Sequence, residues 1–224
     1  MEPKDPQLKV AILIYPGVEL VDMNGPVDVF LHANRSYDRP FDNPRYKVYT
    51  VADTPHPLES EGKAVVITPG YALASCPDPD IVVIPGRIDF TKAANSIPAD
   101  QPAIDWVAEM ARKGKTIMSV CVGLYTLAST GMLNGKKATT HYLSIGYVQQ
   151  KWPAIDLVTN VRFVQDGQFI TTGGITSGID GALHLVKQLD GPVVAQRVAD
   201  IMIYNRDAPL PPYTLLPPYP SMLC

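Results

Sequence analysis

The sequence predicts a doubly wound α/β domain, a mostly parallel sheet sandwiched by helices, and three observations carry that expectation. Short apolar runs recur without polar alternation, as in strands buried on both faces. Segments of helical length and pattern separate them, and that alternation is the signature of a parallel sheet. Finally, 46% of the 224 residues are hydrophobic and 18% charged, enough apolar material for one large core.

The expected strands are "LKVAILIY" (8–15), "YKVYTVA" (46–52), "DIVVIP" (80–85) and "KTIMSV" (115–120). Between them, "NGPVDVFLHANR" (24–35) offers Asn24 as an N-cap with Pro26 in the first turn, and "QPAIDWVAEMARKG" (101–114) carries Pro102 early and Gly114 as its stop. "KKATTHY" (136–142) is expected to be a short strand, followed by a short helix to Lys151. "VRFVQDGQFITTGG" (161–174) places Asp166-Gly167 between alternating apolar residues, a hairpin signal. Two helices close the domain, "TSGIDGALHLVKQL" (176–189) and "PVVAQRVADIMIYN" (192–205), the second opened by Pro192. A single domain is therefore expected over 1–206. The remainder, "DAPLPPYTLLPPYPSMLC" (207–224), is too rich in proline for regular structure. It reads either as a loose terminus or as an arm packed on the domain or a second subunit through Tyr213, Leu215, Leu216 and Tyr219.

Charge and composition exclude several functions. The net charge is −3 and no basic cluster occurs, so no nucleic-acid partner is expected. No run approaches the roughly 20 apolar residues that span a bilayer. The start is polar for eight residues and lacks a signal-peptide pattern, so a soluble, cytoplasmic protein is expected. The three cysteines, Cys76, Cys121 and Cys224, are odd in number and lack metal-ligand spacing. Neither a disulfide framework, a metal nor another cofactor is expected.

Cys121 stands out in "TIMSVCVGLYTLASTG", between a β-branched run and a helical run. A residue that ends a strand and begins a helix stands at the carboxyl edge of the sheet, where open α/β folds place ligands. A helix N-terminus there lowers a thiol pKa, which predicts a thiolate nucleophile. The alternative is that Cys121 packs as a small hydrophobe. Cys76 sits in a turn-rich loop and Cys224 is the last residue, so both read as incidental.

Four segments, "SVCVGLYTLASTGMLNGKKATTHY", "YPGVELVDMNGPVDVF", "VVIPG" and "GGITSGIDGALHLV", resemble the DJ-1/PfpI superfamily, most closely its isonitrile hydratase-like branch. The resemblance runs from about Lys9 to Leu189. It implies a flavodoxin-like sandwich, a homodimer, the elbow cysteine as nucleophile, and an acid from the first strand-to-helix loop beside it. Counting back from Pro26-Val27-Asp28 places that acid at Asp22, with Glu19 as its competitor. From the residues alone Asp22 reads rather as a helix N-terminal acid near Asn24. Burial that keeps the carboxyl partly protonated would let it donate and accept protons. The resemblance also implies oxyanion-type or substrate contacts at the backbone of Gly86, Arg87 and Val122. Arg87 departs from the family's second glycine, and reads as a cation for thiolate or anionic substrate or as a solvent-facing side chain. Val122 departs from the branch's threonine and from the histidine of protease-like members. His141 in "ATTHY" matches a family histidine, with either a supporting role at the site or a structural one. His32, His56 and His184 read as structural.

The expected function is hydration of a small-molecule isonitrile to an N-substituted formamide by a lyase, through a cysteine thioimidate. Two alternatives use the same residues. One is glyoxalase-type chemistry on 2-oxoaldehydes, for which family members carry glutamate where Asp22 stands. The other is a redox or ligand-sensing module, although too little chain follows Asn205 for a helix-turn-helix.

Overall fold

The computed structural model describes residues 6–36, 42–87 and 98–205. The proline-rich segment 207–224, with Cys224, lies outside them.

Among the described residues eleven strands and six α-helices follow one another in chain order. β1 (Leu8–Leu13) leads into α1 (Leu20–Asn34), and β2 (Tyr46–Ala52) follows. A small excursion then contains β3 (Leu58–Glu59), β4 (Val66–Ile67) and β5 (Tyr71–Ala72). β6 (Ile81–Ile84), α2 (Gln101–Arg112), β7 (Thr116–Ser119) and α3 (Leu124–Ser129) continue the alternation. β8 (Lys137–Ala138), α4 (Ile145–Lys151) and β9 (Asp156–Leu157) form a second excursion. The hairpin β10 (Phe163–Asp166) and β11 (Phe169–Thr172) precedes α5 (Ser177–Asp190) and α6 (Pro192–Ile201).

Seven strands form the central sheet in the order β10-β11-β7-β6-β1-β2-β5. Only the β10–β11 pair is antiparallel. The central strands β1 and β6 hold Val10 to Leu13 and Ile81 to Ile84 buried, as their uninterrupted apolar runs require. Helices α1, α5 and α6 pack together, as do α2 and α3.

This is the expected α/β fold, and several boundaries differ instructively. β1 ends at Leu13, the Ile14 N–H closing the ladder on the Val51 carbonyl at 2.8 Å before the chain bends at Gly17 (φ 84°). α1 begins four residues before Asn24. Glu19, in an extended conformation, caps it by accepting the N–H of Asp22. Pro26 therefore lies inside the helix, where its missing N–H removes the bond that would reach the Asp22 carbonyl. "KKATTHY" supplies only the two residues of β8, which pair with β9 outside the main sheet. The last helix stops at Ile201, and Ile203 turns left-handed (φ 52°).

The topology places the site. From β1 the chain moves to β2 on one side, then crosses to β6 and β7 on the other. The loops after β1, β6 and β7 thus emerge side by side at one edge, around the point where the winding reverses.

Candidate active site

Cys121 follows β7 directly and occupies the first position of a short 3₁₀ turn, Cys121–Gly123, that runs into α3. Its backbone is left-handed (φ 55°), a conformation that L-residues other than asparagine and aspartate seldom adopt. Such strain marks the sharp strand-to-helix elbow that projects a nucleophile. Gly123 makes the turn possible, since a Cβ there would stand 2.1 Å from the Ile84 carbonyl oxygen. The elbow is pinned further by the Val120 N–H on the Ile84 carbonyl (2.9 Å) and the Thr140 hydroxyl on the Cys121 carbonyl (2.8 Å).

The thiol is buried, with Cys121 4% exposed. Burial pushes its pKa well above the usual thiol value, and the neighbouring Asp22 carboxyl adds to the effect. The backbone N–H groups of Val122 and Ile175 favour the thiolate and oppose the shift without overcoming it. The resting group is therefore a neutral thiol, where the sequence predicts a thiolate. The reason lies in the elements: α3 has only six residues and follows a 3₁₀ turn, so little helix dipole reaches a fully desolvated sulfur.

Asp22, in the first turn of α1, is completely buried. Burial raises its pKa well above the carboxylate range, and the charge of Glu19 raises it further. Its Oδ2 accepts the Gly86 N–H at 2.8 Å, while Oδ1 has no hydrogen-bond partner among the described residues. A buried polar oxygen left unpaired costs about 1–3 kcal/mol, so Oδ1 is a strained position by chemistry rather than by geometry. Glu19 is buried too, and Glu61, partly buried, is pushed up by burial and by Glu19. Asp22 is the acid that reaches the cysteine's surroundings, and Glu19 serves as the cap behind it.

Gly86 lies between the two reactive residues. A Cβ there would stand 2.8 Å from both Asp22 Oδ2 and Val122 Cγ2, so only glycine fits. Its N–H holds Asp22 rather than facing an oxyanion, and the Val122 N–H favours the charged sulfur. The Arg87 guanidinium is taken up by neighbouring loops. It donates to the Pro16 carbonyl (2.9 Å), pairs with Asp100 (3.0 Å), and lies 5.9 Å from the centre of the Tyr15 ring. Arg87 therefore ties loops together.

His141 caps the 3₁₀ turn Tyr142–Ser144, its Nδ1 accepting the Leu143 N–H at 3.4 Å. Burial pushes its pKa down to about 4, so the ring is neutral at physiological pH. It lines a cavity of about 270 Å³ whose wall also includes Thr140, which bonds the Cys121 carbonyl, and Ile175, whose backbone N–H favours the thiolate.

Two contributors escape the sequence reading. Ile175 supplies its backbone N–H from the loop before α5, and the only available signal is the run "GGITSG". Tyr15, buried after β1, donates its hydroxyl to the Pro85 carbonyl. Burial raises its pKa, so it remains a neutral donor beside Asp22 and Cys121. Among the described residues, no group of three histidine, cysteine or acidic side chains could hold a metal ion.

This elbow, acid and loop arrangement can be set against known proteins. Residues 8–188 match the DJ-1/PfpI family. The chain belongs to that family. Among its curated DJ-1/PfpI relatives, an isonitrile hydratase of Pseudomonas putida is 30% identical over 213 residues, covering 92% of this chain and 81% of that protein. The transcriptional regulator CdhR of Pseudomonas aeruginosa is 31% identical over 159 residues, but the match spans 69% of this chain and only 46% of the regulator. The solved structure of a ThiJ/PfpI family protein from Pseudomonas syringae superimposes with a TM-score of 0.74 at 30% identity, covering 92% of this chain and 78% of that one. The mostly parallel sheet flanked by helices is the DJ-1/PfpI fold. No helix among the described residues is long and apolar enough to cross a membrane.

Proposed function

We propose that the protein is a cysteine-dependent hydratase that converts an isonitrile into an N-substituted formamide. The observation that carries this reading is the fully buried Asp22 carboxyl, one oxygen held by Gly86 and the other unpartnered, beside the elbow thiol of Cys121. The similarity to the Pseudomonas putida isonitrile hydratase over most of both chains supports the choice of substrate.

In this mechanism both groups begin protonated. The terminal carbon of R–N≡C accepts a nucleophile and a proton at the same atom. Cys121 sulfur adds to it as the proton on Asp22 Oδ1 passes to carbon, and the thiol proton replaces it on the carboxyl. The product is the thioimidate R–N=CH–S–Cys. Water then adds across the C=N bond, with Asp22 protonating nitrogen and receiving a proton from the water. Collapse of R–NH–CH(OH)–S–Cys releases the formamide R–NH–CHO and restores the thiol. The Ile175 and Val122 N–H groups, which favour the charged sulfur, steady the charge it gains as it leaves. Val122 brings no hydroxyl to the water, so that task falls to Asp22 alone.

The test is turnover of simple alkyl and aryl isonitriles, with formamide followed by NMR, for wild type, Cys121→Ala and Asp22→Asn. Wild type is expected to form formamide, Cys121→Ala none, and Asp22→Asn at least about 100-fold less. Absence of formamide from the folded wild type would falsify the proposal. One observation favours a second reading, ligand sensing: the regulator that resembles this chain. A sensor would trap one equivalent of isonitrile on Cys121 and release nothing.

A further inference from the structure

The cysteine and its acid account for the reacting end of a substrate and leave the adjoining cavity without a role. That cavity, about 270 Å³, is bounded by His141, Tyr142, Ile145, Asn160, Val161 and Ile175. One bond joins it to the elbow, the Thr140 hydroxyl on its wall donating to the Cys121 carbonyl at 2.8 Å, and the Ile175 backbone, on the same wall, is near enough to the sulfur to favour its charged form. The cavity thus lies behind residues that touch the elbow, and a group attached to a carbon on the sulfur can extend toward it. A cavity of about 150 Å³ accommodates benzene. The present one has room for a ring and a substituent of a few atoms.

One polar group in the wall has a defined hydrogen-bonding sense. His141 Nδ1 accepts the Leu143 N–H, so its lone pair is occupied and it carries no proton. The ring is neutral, because burial holds its pKa near 4. Its single N–H must then stand on Nε2. Among the described residues nothing bonds Nε2, and it is not among the side-chain atoms that are both sealed from solvent and unpartnered. It is an open donor of fixed tautomer in an otherwise largely apolar recess.

We propose that this cavity seats the substituent of the substrate and selects a ring-sized apolar body bearing one hydrogen-bond acceptor, which the Nε2–H of His141 meets. The choice of isonitrile as the reacting group rests on the function proposed above, whereas the chemistry of the cavity does not.

Two nearly isosteric substrates test it, 4-acetylphenyl isonitrile, with an acceptor, and 4-isopropylphenyl isonitrile, without one. Wild type is expected to favour the acetyl compound in kcat/KM by about 3- to 10-fold, the worth of one neutral hydrogen bond. His141→Phe should bring that ratio to about 1, chiefly through KM, and His141→Gln, which retains an N–H donor, should preserve part of it. A wild-type ratio near 1, or one untouched by His141→Phe, overturns the proposal. The corresponding formamides give a reading independent of turnover. N-(4-acetylphenyl)formamide should bind more tightly than its isopropyl analogue by calorimetry and shift the His141 ring resonances in NMR. If the isonitriles are not turned over but the formamides bind with that preference, the proposed function fails and the cavity assignment stands. If neither formamide binds, or both bind equally, the cavity assignment fails.

Discussion

Burial, more than the local helix, sets the protonation of Cys121. Two backbone N–H groups favour the thiolate, yet desolvation and the Asp22 carboxyl together hold the proton on sulfur. Under the proposed hydratase mechanism Asp22 has opposite effects on the free and reacting thiol: it discourages ionisation at rest and would supply the proton during addition. This separates two accounts of the pair. Asp22→Asn takes away the negative charge that the carboxyl acquires as pH rises, so Cys121 is expected to react severalfold faster with iodoacetamide at alkaline pH, because its pKa falls. Peptide-resolved mass spectrometry distinguishes it from the half-buried Cys76. Slower alkylation in the variant would mean that Asp22 activates the resting thiol as a base. The positions of both residues were legible in the motifs around them. Their charge states were not, since they depend on how completely distant segments, among them Ile175 and Gly86, close over the pair.

At the level of elements, the start of α1 couples a structural cap to the proposed acid. Glu19 accepts the N–H of Asp22 and, being buried beside it, raises its pKa. Glu19→Gln retains an oxygen for the cap and removes the charge. Addition requires protonated Asp22, so kcat/KM falls as pH rises through the folded-state pKa of that residue. Loss of the Glu19 charge lowers this pKa, so the alkaline limb of the kcat/KM profile is expected to move to lower pH in Glu19→Gln, with the helix intact by circular dichroism. An unmoved limb would remove Glu19 from any electrostatic role. Sequence places this helix start at Asn24 because asparagine is a favoured cap and glutamate is not. Here the preference is overridden by the tertiary position of the loop, whose Glu19 N–H is held by the Gly86 carbonyl at 3.0 Å. The strands β2, β6 and β7 and the Asp166-Gly167 hairpin were readable because long apolar runs and turn chemistry are local. The two-residue strands β3, β4, β5, β8 and β9 carry no periodicity to read.

Across the whole molecule, the reactive edge of the sheet is kept apart from the features that clamp its other edge. At the start of β2, buried Arg45 pairs with Asp190 at the end of α5 (2.9 Å), and the Tyr46 hydroxyl donates to the same carboxylate. This joins the first half of the sheet to the last long helix, far along the chain. Removing one partner leaves a buried charge uncompensated, typically at a cost of about 3–5 kcal/mol. Arg45→Met is therefore expected to lower Tm by at least about 6 °C, while kcat/KM at a temperature well below the transition stays within about twofold of wild type. A large loss of activity in the folded variant would contradict this separation of the two edges. The alternation of strands and helices made the fold class legible at this scale. The Arg45–Asp190 pair was not, because nothing in either local sequence announces a partner 145 residues away.

The left-handed backbone at Cys121 also limits which nucleophiles the scaffold can host. With φ at 55°, a branched Cβ would crowd the chain on both sides. Serine has the same branching as cysteine and can occupy the elbow, so an oxygen nucleophile is open to this protein in that form. Threonine, branched at Cβ, is closed to it.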